Sequence, residues 1–381
     1  MCSYQQLTEQ GGNIMPASDS YGRRTFLRTT AATGSAAAIG GLAGCTGFLD
    51  DDDTLTVAVY GGVFQEVMDD VLFEPFNEEV DFEAESQEQP TAEEALSQYD
   101  SAVGAGEAPV DIAIMSTVGV LRGLNSDLWH IWDDEDAFEN LQYISDDLVE
   151  EREGGIASIG ALSWYINLVQ NTDVFEEPID SWEALWDDEY EDQLGLLGLA
   201  SNSFLLDITA EVQFGGQEIL EDRDGVEEVF EELEGITDQA NFWYENEAEF
   251  QQRLQDAEVP AGMLYSDITK VMQEDGAPVQ SNFVEEGSVI DSGSWVVLEP
   301  SEMVEEAQQF IDYASRPEVQ DRLAEGLFTA PVIDREHSEL DDETYEEVAG
   351  PGPEEAISPY YDLYLEEEEW VNEQWEEFII G

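Results

Sequence analysis

From residue 55 onward the apolar positions change period segment by segment. Leu55 to Tyr60 is a continuous apolar run closed by Gly61-Gly62, which predicts a strand. Phe64, Val67, Met68, Val71, Leu72 and Phe76 then recur at helical spacing. Val80, Phe82 and Ala84 alternate with acids, as on a half-buried strand. Thr91 and Glu94 form a capping box before a helix that buries Ala95, Leu96, Tyr99 and Val103 and ends at Gly104-Ala105-Gly106. Asp111 to Met115 is apolar again and leads into Ser116-Thr117. This β-α-β-α-β order predicts a mainly parallel sheet with helices on its faces.

A second α/β segment runs from about residue 161 to 290. It holds apolar stretches at Leu162 to Val169, Gly195 to Leu199 and Val259 to Tyr265, with a helix after Asp180 capped through Glu183. Ser294 to Leu298 predicts another strand, and a helix from about Glu302 to Ser315 stops at Pro317. The acidic stretch from Asp341 to Gly381 carries Tyr360, Tyr361, Tyr364, Leu365, Trp370 and Trp375, which argues for packing against the rest of the fold. At 381 residues the expectation is two lobes.

Charge changes this picture little in fold and much in environment. There are 91 acidic residues against 11 basic ones, a formal net charge of −80, and Lys270 is the only lysine. Nucleic-acid binding is excluded, because phosphate contacts need Lys and Arg. The acids are spread among a normal apolar complement, 42% of the chain, which points to adaptation to high salt. Cys2 and Cys45 offer no disulfide framework, and His130 and His337 stand beside no metal-ligand pattern. No nucleophile motif, metal cluster or cofactor loop is present, so neither enzyme, cofactor nor metal is expected; a carboxylate-based hydrolase is the rival on composition alone.

The first 44 residues read as an address. Gly22-Arg23-Arg24-Thr25-Phe26-Leu27-Arg28 resembles a twin-arginine export signal with Arg23 and Arg24 as the pair. A mild Ala/Gly-rich stretch from Thr30 to Gly44 follows, too short to span a bilayer and suited to a signal h-region. Leu42-Ala43-Gly44-Cys45 matches a lipobox, which makes Cys45 the lipidated first mature residue, and Met15 is an alternative start. Residues 45–53 then form an acidic tether.

Five segments carry a family resemblance, in order. They are Tyr60-Gly61-Gly62-Val63-Phe64-Gln65 with Glu74-Pro75-Phe76; Asp111 to Thr117; Asp180-Ser181-Trp182-Glu183-Ala184-Leu185-Trp186 with Glu189-Tyr190; Ser294-Trp295-Val296-Val297; and Arg316-Pro317-Glu318-Val319. Nearly the whole mature chain resembles the spermidine/putrescine-type extracellular solute-binding proteins of ABC transporters. The resemblance implies a two-lobe periplasmic-binding-protein-like α/β fold of type II, with lobes joined by crossover strands and a ligand cleft between them. Residues 54–160 and 294–345 would form lobe 1, residues 161–293 lobe 2, and residues 346–381 helices packed on the lobes. It also implies a monomer held outside the membrane and working with ABC permease subunits.

The family encloses polyamines with rings and carboxylates. By resemblance, Tyr60, Gly62, Phe64, Ser116, Thr117 and Ser294 belong to its ligand loops, Trp164 and Tyr165 sit where it places a crossover aromatic, and Tyr265 falls at a family tryptophan. The departures lie among the acids: a family carboxylate pair falls on Asn202 and Leu205, and another carboxylate on Gly293. Asp267 and Asp291 are the nearest acids left, and would supply the counter-charge for a small organic cation. An opine, amino acid, thiamine or ferric ion is the alternative ligand. Tyr360-Tyr361 is an iron-binding pattern, expected to lie away from the cleft.

Overall fold

The computed structural model describes residues 54–90, 92–133, 137–152, 154–245, 247–350, 352 and 355–380. The expected export signal with Arg23 and Arg24, the expected lipidation site Cys45, the expected tether and the expected capping residue Thr91 lie outside them. The chain begins with β1 (Thr54–Val59), α1 (Val63–Met68), α2 (Glu74–Asn77), β2 (Glu83–Glu88), α3 (Ala92–Val103), β3 (Ile112–Ser116) and α4 (Thr117–Asn125). It continues through β4 (Val149–Arg152), β5 (Gly155–Asn171), β6 (Leu194–Leu197), α5 (Ala200–Ser203), α6 (Leu205–Thr209), α7 (Arg223–Leu233), β7 (Ala240–Tyr244), α8 (Glu247–Gln255), β8 (Ala261–Tyr265), α9 (Ser266–Glu274), β9 (Val279–Asn282) and β10 (Val289–Val297). The last part is helical: α10 (Val304–Ala314), α11 (Pro317–Leu327), α12 (Asp342–Ala349), α13 (Tyr361–Glu366) and α14 (Glu368–Ile380).

One sheet runs through the molecule in the order β2-β1-β3-β10-β5-β8-β6-β7, with β4 and β9 also paired to β5. At one end β1 pairs parallel with β2 and β3, and at the other β6 pairs parallel with β7 and β8. Between them β10 and β5 run antiparallel to each other and to their outer neighbours. A 17-residue strand reaches about 56 Å at 3.3 Å per residue, long enough for β5 to serve both ends. Every residue of β5 is buried except Trp164, the polar Ser158, Ser163, Asn167, Gln170 and Asn171 included, as suits a strand paired on both sides at the centre of the sheet.

Two large hydrophobic cores flank this centre. One gathers Leu55, Leu72, Ile114, Ile159, Trp295, Phe310 and Leu323; the other Val169, Trp182, Leu196, Val229, Phe250, Met263, Tyr364 and Trp375. These are the two lobes of a periplasmic-binding-protein fold. They share strands, so residues 51–381 group as one unit by contact.

Several local elements depart from the sequence reading. The segment after Asp180 is a short 3₁₀ turn, Trp182–Trp186, capped by Ser181, whose hydroxyl accepts from the Glu183 N–H. It is fixed by tertiary anchors: Trp182 is fully buried and donates from Nε1 to the Gly287 carbonyl at 2.9 Å, and Ser181 Oγ donates to Glu286 Oε1 at 2.5 Å. β2 starts at Glu83, after Val80 and Phe82, which pack on the core from the preceding turn. Pro317 does more than end a helix: it is the first residue of α11, where its missing N–H needs no partner. The acidic C-terminal stretch does pack down, with Leu363, Tyr364, Val371, Trp375 and Phe378 buried in the second core.

Candidate functional site

A cleft of about 590 Å³ opens where β1, β3, β6 and β8 deliver their carboxyl ends, the usual place for a ligand in parallel α/β sheets. Each strand leads into a residue that lines it. Tyr60 and Gly61 follow β1, and Phe64 stands on α1. Ser116 ends β3 and caps α4, its hydroxyl accepting from the Gly119 N–H at 3.4 Å. Ser201 and Asn202 follow β6 on α5; Tyr265 ends β8, and Asp267 lies in the first turn of α9. Trp164 and Asp291 enter from β5 and β10, where they are directly paired across the strands.

Five rings line the cleft. Tyr60 meets Phe64 edge to face at 5.2 Å between centroids, and Trp164 at 6.3 Å. Tyr265 and Phe204 add two more faces. Phe204 holds a left-handed backbone (φ 50°), a strained conformation for a bulky residue, where α5 passes into α6.

Three carboxylates face these rings. Asp291 is the most tied: its Oδ1 accepts from Tyr361 Oη at 2.9 Å, Thr117 Oγ1 at 3.1 Å and the Ser292 N–H at 2.8 Å. Burial nevertheless raises its pKa, and those three bonds only partly offset the desolvation. Asp267 is pushed up to about 7, first by burial and last by the nearby charge of Glu247, and its buried Oδ1 has no hydrogen-bond partner. Burial likewise raises Glu247. The field of Asp291 also reaches the hydroxyls of Tyr60 and Tyr265, raising both behind a larger effect of burial. Among the described residues no three His, Cys, Asp or Glu side chains gather closely enough to hold a metal. The one basic lining residue, Arg122, is engaged outside the triad by Glu368, Nη2 to Oε1 at 2.5 Å.

Of the residues expected from sequence, Tyr60, Phe64, Ser116, Trp164, Asn202, Tyr265, Asp267 and Asp291 line this cleft. Gly62, Thr117, Tyr165 and Ser294 do not. Gly62 supplies the left-handed turn (φ 69°) between β1 and α1. Thr117 acts one step back, through Asp291. Tyr165 follows Trp164 on a strand, so it points to the opposite face, where it meets Phe283. Ser294 lies beyond the register shift after Gly293 and, with Ser292, faces a separate small space.

Leu205 is wholly buried in the second core. Tyr361 is a correction: it reaches Asp291 because α13 folds back over α4, while Tyr360 lines a different surface hollow, so the adjacent pair diverges. Glu247, Arg122, Phe204 and Thr329 line the cleft unforeseen. Nothing in the local sequence marks Glu247 among 91 acids.

The sequence profile described as bacterial extracellular solute-binding protein matches residues 72–346. Solved structures of the same fold include an ABC transporter substrate-binding protein from Bradyrhizobium japonicum, with 19% identity, a TM-score of 0.74, and 86% of this chain and 99% of that one covered. The spermidine/putrescine ABC transporter substrate-binding protein PotD from Streptococcus pneumoniae has 18% identity, a TM-score of 0.67 and the same coverage. The binding protein MotA from A. tumefaciens B6, in complex with glucopine, has 15% identity, a TM-score of 0.70 and again 86% and 99% coverage. No curated protein sequence matches the chain.

Proposed function

The chain belongs to the bacterial extracellular solute-binding protein family, and from that premise we propose that it is the capture subunit of an ABC uptake system for a small organic cation. The observation that carries this reading is that five rings and three carboxylates, each raised in pKa by burial, line one cleft. Aromatic faces attract cations, and a buried carboxylate with a raised pKa regains its charge when a cation arrives. A polyamine-like ligand suits a cleft with several acids, since more than one ammonium of an extended cation can then find a counter-charge. In this reading residues 54–160 and 294–345 close against residues 161–293 about β5 and β10, residues 346–381 pack on the lobes, and closure presents the permease with a shape to read.

The test is a thermal-shift and calorimetric screen of polyamines, amino acids, opines, thiamine and ferric chelates, run in high salt to suit the acidic composition. A ligand at 100 times its Kd is expected to stabilise the folded protein by about 2.7 kcal/mol. Cations should be the hits; a screen that returns only neutral or anionic solutes overturns the proposed ligand class.

The pH dependence has a definite sign. Burial pushes Asp267 up to about 7. A cation favours the ionised form, so binding below that pH releases a proton. Affinity is expected to rise with pH by up to about tenfold per unit between pH 5 and 7 and to flatten above 8. Calorimetry in buffers of different ionisation enthalpy measures the released proton directly. A flat affinity over this range would remove Asp267 from the site.

The same reading includes export by the twin-arginine route and a lipid anchor at Cys45, resting on the lipobox that follows Arg23-Arg24. Cys45→Ala is expected to move the folded protein from the membrane fraction to the medium. Retention in the membrane with unchanged mass would rule the anchor out.

A further inference from the structure

Opposite the cleft, on the other face of the same two strands, lies a second cavity of about 680 Å³. Tyr165 and Ile290, direct partners across β5 and β10, form its floor, one residue along from the Trp164–Asp291 pair in the cleft. Pro331, Tyr345 and Ala349 supply apolar walls from the segment after α11 and from α12. Tyr165 lines this space with its side chain buried, 1% exposed, and its hydroxyl has no hydrogen-bond partner. A buried hydroxyl left unpaired is unfavourable, and a ligand that pairs it recovers that loss.

Charge decides which ligand. Exposed Glu336 and Glu346 stand at the rim. The one rim cation, Arg335, is already committed: its Nη2 donates to Asp342 at 2.7 Å and to the Leu340 carbonyl at 3.1 Å, and its guanidinium lies over the Tyr345 ring at 4.4 Å. The cavity therefore offers an unpaired oxygen, an apolar body and net negative charge.

We propose that this rear cavity is a second binding site, for a small amphipathic ammonium ion. The ammonium N–H donates to the Tyr165 hydroxyl oxygen, the hydrocarbon packs on Ile290, Pro331 and Ala349, and Glu336 and Glu346 supply the counter-charge. The site stands apart from the cleft ligand and does not depend on that ligand's identity. Because it sits on the strands shared by both lobes, its occupant rests on the hinge.

The probe is 4-fluorobenzylammonium, titrated into the full chain and followed by fluorine NMR. A saturable bound resonance is expected that Tyr165→Phe weakens about tenfold, as loss of one charge-assisted hydrogen bond would. Glu346→Trp, which fills the mouth from an exposed position, should block the same resonance. Trp164→Ala, in the cleft, should leave it in place. If that resonance survives while cleft binding is absent, the rear site stands and the reading of the cleft falls. If no bound resonance responds to either Tyr165→Phe or Glu346→Trp, the proposal is overturned.

Discussion

Asp291→Ala is expected to weaken binding of the cleft ligand by roughly a hundredfold, about 3 kcal/mol, the loss typical of removing one member of a buried charge pair. The carboxylate sits opposite Trp164 on the crossover strands and is held from three sides, by Thr117, Tyr361 and the Ser292 N–H. Removing it leaves two hydroxyls and a backbone donor without their acceptor, as well as an unpaired cation. The conservative change separates these effects. Asp291→Asn keeps an acceptor of the same shape and loses only the charge, so it should lose most of the affinity as well if the ligand is a cation. Calorimetry at pH 8, above the value of about 7 to which Asp267 is raised, makes the comparison. Equal affinity in Asp291→Asn and the unaltered protein would mean that Asp291 positions Tyr361 and Thr117 and does not meet the ligand's charge.

The largest effect on stability is expected at Asp207. It is fully buried on α6, and its two oxygens accept from the Tyr360 N–H at 2.6 Å and from Tyr364 Oη at 2.5 Å. Those bonds fasten α13 to the second core. Asp207→Ala strands two buried donors, each worth about 1–3 kcal/mol, so unfolding free energy should fall by about 3 kcal/mol. For a folded chain of this size that is a drop in Tm of roughly 4 °C. Asp207→Asn retains one acceptor and should cost about 1 kcal/mol.

The pH dependence provides a second readout. Burial raises Asp207 to about 6, above the value of about 3.9 in an unfolded chain. The folded state thus holds an extra proton between those values. Its contribution is full below pH 4 and is lost as pH rises through 6, so stability falls over that window. Asp207→Asn should remove this part of the slope. A slope and Tm unchanged in both variants would show that α13 is held by its apolar side chains alone.

Because Tyr361 lies one residue from the Tyr360 N–H that Asp207 holds, the same variant reports on the cleft. Loosening α13 should let Tyr361 leave Asp291, and cation affinity should fall in Asp207→Ala beyond what the lost stability explains.

Much of the architecture was legible because local periodicity answers to local physics. The apolar run of β1, the helical spacing of α3 and the aromatic stretch of α14 each state which face must be buried, and the packed structure obeys them. Trp182 was legible as a signature and obscure as a shape. Its anchors, Gly287 and Glu286, lie about a hundred residues away, so no local pattern could show that its segment is a 3₁₀ turn.

The family resemblance pointed to Tyr60, Ser116 and Tyr265 and left Asp267 as a nearest acid, and all four line the cleft at or just after the carboxyl ends of strands. On the strands themselves, Trp164 and Tyr165 were adjacent candidates, and only the pairing of β5 with β10 fixed which face each one takes. Composition alone argued against nucleic acid, because 11 basic residues stand against 91 acids and phosphate contacts need Lys and Arg. It could not say which of those acids are dry. Desolvation belongs to no single residue: Glu247, Asp267 and Asp291 are partly desolvated because α8, α9 and β10 meet around rings from β5 and from the turn after β1, and that meeting exists only once the chain is folded.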